Sequence, residues 1–323
     1  MAGPRTSNYL SLIVAAICFG SIPVFSHYLN LLSVPTVQQA FFRAVFAVFY
    51  LFLGVGVFGA FHQLRISRAH LPLFLVYSLL GIALSIVAYI TSMAIGTPVV
   101  IAVSLTYLYP AWTVILAWLF LKEPLTWLRL IAVPLSLAGA IVVSLPSELQ
   151  TTAVPIAGIL WAIANGGFAA CYVVFGRKWA RLGYNPTTTT FWGYSFAALW
   201  MVPILLAFPL FVTDPRVVGF PLLLPPGAWL LLLAFALVGT AFPYTLVNVG
   251  VKGIDASVAS IILLLDPISA VVMGYFFMQQ PLNLWQFVGA ALILLATLLV
   301  AVESRVFARR VAGSGFVPHI GKS

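Results

Sequence analysis

Apolar residues run along this chain in long uninterrupted blocks, and short polar or turn-rich stretches separate them. The breaks carry their own chemistry: LSVPT (32–36), IGTP (95–98), KEP (122–124), LPSE (145–148), YNPT (184–187), DPR (214–216), KGID (252–255) and QQP (279–281). Proline and glycine end helices because one lacks a backbone donor and the other tolerates left-handed geometry. Between the breaks the pattern predicts ten helices: 8–29, 36–59, 71–95, 98–121, 125–145, 153–176, 187–212, 227–250, 256–278 and 283–303. A helix of about 20 apolar residues spans a bilayer. Barrel strands would instead alternate over segments of about ten residues.

Composition agrees with the pattern. Of 323 residues, 63% are hydrophobic and 7% are charged, with mean hydropathy +1.13. A soluble domain carries about a quarter charged residues, so the fold class expected is all-α integral membrane. The net charge of +9 is lopsided. With a cytoplasmic N-terminus, Arg5, Arg65, Arg68, Lys122, Arg129, Arg177, Lys178, Arg181, Lys252, Arg305, Arg309, Arg310 and Lys322 fall on the inner side, and only Arg216 falls outside. The positive-inside rule therefore puts both termini in the cytoplasm. These bases read as topology determinants beside an anionic leaflet, with no nucleic acid needed to explain them.

The first span follows Arg5 as a signal peptide would, but its apolar run is longer and no A-x-A site follows. It is expected to stay as a helix. Cys18 and Cys171 fall inside spans and are expected as free thiols. The tail 304–323 is basic and polar and is expected to be cytoplasmic and loosely ordered.

The chain also repeats itself. A shift of 157 places Gly96 on Gly253, Ala102 on Ala259, Pro110 on Pro267, Phe120 on Phe277 and Pro124 on Pro281. A shift of 150 places FFRAVFA (41–47) on FWGYSFA (191–197). Two five-helix units are expected, 1–148 and 149–303. Five is odd, so the second unit enters the membrane inverted. Inverted repeats that exchange conformations open a shared site to one side and then the other. The bland alternative is a duplicated channel or scaffold. The repeat leaves one loose end, since no feature of the sequence explains why Glu123 becomes Gln280.

Several motifs carry a resemblance. FFR (41–43), Pro110 followed thirteen residues later by Glu123, and LLLDPISA (263–270) occur in the same order as in the drug/metabolite transporter superfamily, and the chain resembles its ten-helix branch with two EamA-type repeats. TYLYPAWT (106–113) is most similar to bacterial exporters of aromatic and other amino acids. The resemblance implies a multi-pass protein of the bacterial inner membrane that exports amino acids or related metabolites through a central cavity. Gln279-Gln280 replaces the acidic turn usual in the second repeat, and Tyr109 stands where aromatic exporters often have Trp.

Polar residues inside spans are the candidates for contact with substrate, because lipid-facing positions hold them at a cost. One face of the sixth helix offers Trp161, Asn165, Phe168 and Tyr172; the third offers Tyr77, Gly81, Ser85 and Tyr89; the eighth offers Thr240, Tyr244 and Asn248. Ser104 and Tyr107 come from the fourth, Ser257 and Ser260 from the ninth. Cavity candidates are Ser85, Tyr89, Tyr107, Asn165, Phe168, Tyr172, Tyr244, Asn248, Ser260 and Asp266. Interhelical packing by small and hydroxylated residues is the competing reading. Asp266 either binds a substrate ammonium or carries a proton, or else it is a protonated acid bonded to the turn beside Pro267. Arg43 snorkels to headgroups, forms an ion pair, or serves the site. Pro23, Pro110, Pro243 and Pro267 are expected to bend their helices.

Other functions fit less well. A membrane-embedded transferase needs an acid–base or metal constellation, yet Glu123, Glu148, Asp214, Asp255, Asp266 and Glu303 are scattered with no close pair. His27, His62, His70 and His319 have no metal-ligand spacing, and there is no G-x-x-x-x-G-K-[ST] loop. The expected partners are a small-molecule substrate and membrane lipid, without cofactor, metal or catalytic residue. An uncoupled facilitator and a homodimer both remain open alternatives.

Overall fold

The computed structural model describes residues 6–143, 155–280 and 282–313. Among these the protein is all helical, with nine helices long and apolar enough to cross a membrane and one shorter apolar helix. They are α1 (Thr6–Leu31), α2 (Thr36–Val57), α3 (Arg68–Ala94), α4 (Ile101–Leu121), α5 (Trp127–Val143), α6 (Ile156–Arg181), α7 (Pro186–Leu210), α8 (Pro226–Gly253), α9 (Ala256–Met278) and α10 (Leu284–Glu303). The shorter one is α5. Glu148, Pro281 and the predicted span ends at 145 and 153 lie outside the described residues.

Turn chemistry sets the helix starts. Pro35, Pro98, Pro155 and Pro225 stand in extended geometry just before α2, α4, α6 and α8. The Asn185 side chain accepts from the Thr187 N–H at 3.1 Å and caps α7. Two sequence expectations are corrected at the far ends of helices. α6 continues to Arg181, so Arg177 and Lys178 are helical and not loop residues. The last helix runs on to Gly313, so the start of the supposed loose tail is helix.

Five of the helices are irregular, and in four of them the irregularity recurs between the two halves of the chain. α4 is broken between Thr106 and Tyr109, and α9 between Leu263 and Asp266. Pro110 and Pro267 occupy the first turn after each break, where a missing N–H costs least. The consequence falls on the preceding turn: neither proline can donate back to the carbonyl of Thr106 or Leu263. α3 carries a π-helical turn at Leu79–Ala83, and α8 carries one at Leu237–Ala241. Lys122 and Gln279 both adopt left-handed backbone, at φ 56° and 53°. Beyond them the N–H of Glu123 reaches back to the Ala117 carbonyl and that of Gln280 to the Gly274 carbonyl, each at 3.2 Å. Pro23 and Pro243 likewise begin the segments after the break in α1 and the π turn in α8. All four prolines thus mark segment starts.

α5 and α10 pack along their length at glycines. A Cβ on Gly289 would stand 2.5 Å from the Val143 nitrogen and 2.6 Å from the Gly139 carbonyl oxygen. Backbones approach this closely only where side chains are missing. The rest of the bundle is packed unevenly. At the end where Arg129, Arg177 and Arg181 gather, called the basic end below, the first half of α9 packs on the second half of α4 and on α5, α6 and α10. At the opposite end, the first half of α4 has no comparable packing against the second half of α9, α5 or α10 among the described residues.

Candidate functional site

The interior holds three polar groupings. The first joins α3, α4 and α6. The Ser85 hydroxyl donates to Asn165 Oδ1 at 2.7 Å, and Asn165 Nδ2 donates to Thr106 Oγ1 at 2.9 Å. Thr106 lies at the break in α4. Gly166 allows this approach, since a Cβ there would stand 2.9 Å from the Thr106 carbonyl oxygen.

The second grouping joins α6, α7 and α8. Asn248 Nδ2 donates to the Tyr172 hydroxyl at 2.8 Å and to Thr190 Oγ1 at 3.0 Å, while Tyr172 donates to the Tyr244 carbonyl at 3.1 Å. Tyr244 stacks edge-on against Tyr172, Tyr194 and Phe19. Asn165, Tyr172, Asn248 and Ser260 are buried and bonded within the protein, and Tyr107 is buried among Ala140, Leu264 and Ile293. Ser85, Tyr89, Phe168, Tyr244 and Asp266 are half-buried. The ten candidates therefore divide into a buried framework and a more open set.

The third grouping holds the charges inside the bundle. Asp266 is the first residue of the second half of α9. There the helix dipole favours a carboxylate. It makes no hydrogen bond among the described residues, and Tyr89, Tyr107 and Tyr109 lie within its electrostatic reach. The Tyr109 hydroxyl donates to the Ser260 carbonyl at 3.0 Å across to the first half of α9. Arg43 turns inward: Nε donates to Thr240 Oγ1 at 3.0 Å, Nη2 to the Gly239 carbonyl at 3.3 Å, and the guanidinium lies 4.1 Å from the Phe235 ring centre. Both of its acceptors belong to the π turn of α8. Snorkelling to headgroups is thereby excluded, and Arg43 forms no ion pair within 4.0 Å among the described residues. Tyr89 is within electrostatic reach of both Arg43 and Asp266. Two surface hollows, one at Trp118, Lys122 and Leu125 and one at Ala157, Leu160 and Trp161, are lined by no residue of this grouping.

Sequence reasoning missed a fourth grouping, at the basic end. Three of the six acids scattered along the chain, Glu123, Asp255 and Glu303, converge in space. Glu123, two residues past α4, receives the Ala256 N–H at 2.8 Å, the Ser257 N–H at 3.1 Å and the Ser257 hydroxyl at 2.6 Å. It caps α9 from another part of the chain. Arg129 of α5 donates to Asp255 at 2.6 Å, to Ser257 Oγ at 2.7 Å and to the Pro124 carbonyl at 3.1 Å. Arg177 of α6 donates to Asp255 at 3.2 Å and to the Val251 carbonyl at 2.8 Å. Arg181 donates to the Leu121 carbonyl at 2.5 Å, and Glu303 of α10 stands 4.0 Å from Arg129. The helix dipoles match this arrangement: a carboxylate meets the positive start of α9, Arg181 meets the Leu121 carbonyl that ends α4, and Arg177 meets the Val251 and Lys252 carbonyls near the end of α8. Arg129 and Arg177 are buried. They are not free topology markers. The signal available in the sequence was the adjacency of KEP and KGID to breaks on one side, which periodicity cannot turn into contact.

Among the described residues no group of three histidines, cysteines or acids could hold a metal ion. Comparison with known proteins agrees with the fold. The family model described as "EamA-like transporter family" matches residues 6–145 and 156–302. An "Uncharacterized transporter" of Archaeoglobus fulgidus is 29% identical over 69% of this chain and 75% of its own length. The "Uncharacterized inner membrane transporter YicL" of Salmonella typhimurium is 25% identical over 95% of this chain and 99% of its own. A solved structure titled "Crystal structure of protein" superposes with TM-score 0.75 at 19% identity, covering 93% of this chain and 99% of its own. That last likeness speaks to fold alone.

Proposed function

Since the chain belongs to the EamA-like transporter family of the drug/metabolite transporter superfamily and is a multi-pass membrane transporter, we propose that it is a secondary carrier that exports amino acids or related small metabolites. In this reading residues 1–148 and 149–303 are two inverted five-helix units, the basic end and residues 304–323 face the bacterial cytoplasm, and the substrate sits between the units. Transport proceeds by alternating access.

The single observation that carries the reading is the interior charge pair without a mutual ion pair. Asp266 offers a carboxylate with no hydrogen bond among the described residues, and Arg43 is anchored on the α8 π turn, with Tyr89 within electrostatic reach of both. Opposite charges inside an apolar bundle are costly unless something engages them. An ammonium on Asp266, a carboxylate toward Arg43, and tyrosine faces for the side chain together fit a zwitterion. Breaks beside both charges, at Leu264 and at the α8 π turn, are where a helix can change its bend.

Counterflow in proteoliposomes tests this. Vesicles loaded with an unlabelled amino-acid mixture are expected to accumulate external labelled amino acids, and Asp266→Asn is expected to lose most of that uptake. No accumulation of any amino acid above protein-free vesicles would overturn the amino-acid reading. Unaltered uptake by Asp266→Asn would remove Asp266 from the site.

A further inference from the structure

Among the described residues the ion cluster at the basic end has no counterpart at the other end, although the helix breaks and turns that frame it recur there. The 157 shift sets Gln280 opposite Glu123, Pro98 opposite Asp255, Val100 opposite Ser257 and Gln286 opposite Arg129. At each of these four positions the charge or hydroxyl of the basic end gives way to a neutral or apolar residue. Gln280 is exposed, and its side chain lies over Gly274 of its own helix, where a Cβ would stand 2.8 Å from its Oε1. Gln286 turns inward on its own turn, trading hydrogen bonds with Asn283 at 3.0 and 2.9 Å. The packing follows the chemistry. α9 is held against α4 and α5 at the basic end, and among the described residues the matching halves are not comparably packed at the other.

We propose that Glu123, Asp255, Arg129 and Arg177 form an electrostatic latch that keeps the transport path shut at the basic end, and that the neutral residues at the matching positions of the opposite end make this the resting state of the carrier. The proposal rests on the alternating-access reading above. It also accounts for the change of Glu123 to Gln280: a latch at both ends would hold the carrier in an occluded state. The latch is strong but not saturated. The Nε groups of Arg129 and Arg177 are buried without a hydrogen-bond partner, and their nearest carboxylates stand at 3.9 to 4.0 Å. Buried donors left unmade offset part of the favourable pairing, so the cluster is able to release. Glu123 is the pin, because its carboxylate accepts the Ala256 and Ser257 backbone N–H groups at the start of α9 from another part of the chain.

The test reads solvent access along the path. In a background with Cys18 and Cys171 replaced by Ala, a cysteine at Ala259 reports the basic side and a cysteine at Ser104 the opposite side. Each is labelled with a membrane-impermeant thiol reagent in vesicles of known orientation. Glu123→Gln and Asp255→Asn are each expected to raise labelling at position 259 from the basic side about fivefold and to lower labelling at 104 from the other side, as a population shift requires. Lys122→Gln, exposed on the same turn, is expected to change neither. Unchanged labelling in folded Glu123→Gln and Asp255→Asn protein overturns the latch. If Glu123→Gln fails to elute as a folded species, Asp255→Asn decides; if neither folds, the cluster is a folding element and the proposal falls. Shifted labelling without amino-acid counterflow would sink the substrate reading and leave the latch standing.

Discussion

Replacing Arg129 with Gln removes a guanidinium that is 5% exposed at its side chain and donates to Asp255 at 2.6 Å, Ser257 at 2.7 Å and Pro124 at 3.1 Å. The cluster balances three acids, Glu123, Asp255 and Glu303, against Arg129, Arg177 and Arg181. The substitution leaves it one negative charge in excess. Breaking a buried ion pair from one side costs about 3–5 kcal/mol. Asp255 is 28% exposed at its side chain, so water recovers part of that loss and the lower end, about 3 kcal/mol, is expected. Asp255→Asn should cost about 2 kcal/mol, since Arg129 and Arg177 both lose a partner but keep carbonyl acceptors. In the double variant the two losses overlap. A coupling of about 1.5 kcal/mol or more is expected for groups in direct contact. Thermal unfolding in detergent, followed by intrinsic fluorescence, reads all four corners of the cycle. At about 2–4 °C per kcal/mol for a chain approaching this size, Arg129→Gln should melt about 6–12 °C lower. Additive losses, with coupling under about 0.5 kcal/mol, would show that Arg129 and Asp255 do not act on each other and would refute the cluster as an energetic unit.

Further substitutions probe the packing. Asn248→Ala removes two interhelical hydrogen bonds, to Tyr172 and Thr190, and should cost about 1–3 kcal/mol in the same melting assay. Gly289→Leu should cost about 3 kcal/mol or prevent folding, because the Val143 and Gly139 backbones leave a Cβ no room. Gly54→Ala, with nothing within 4 Å of the new Cβ, should leave melting unchanged or raise it by about the helix-propensity difference of 1 kcal/mol.

Much of the architecture is readable from residue type and order alone. Apolar runs and turn residues locate the helices, because lipid forces each span to satisfy its own backbone. The recurrence of Pro110 at Pro267 announces paired irregularities, and both prolines do open the segment after a break. What periodicity does not carry is which ends meet. Glu123 and Arg129 flank one turn, Arg177 lies near the end of α6 and Asp255 precedes α9, so no spacing rule links the three regions. Their charges read as membrane-side markers until the helices are placed side by side. Arg43 is similar: its depth in α2 is legible, but its inward turn depends on Thr240 and Gly239 of α8. Local sequence encodes segments and their ends, and pairing between distant ends needs the packed bundle.

The glycine-to-glycine crossing of α5 and α10 carries a mechanical consequence. Two rods seated backbone to backbone have no lubricating layer of side chains, so sliding or twisting one against the other disrupts many contacts at once. Any working stroke is therefore thrown onto the bundle's kinked members. The seam between α5 and α10 becomes the fixed spine about which they swing, and a disulfide stapled across it should leave turnover intact.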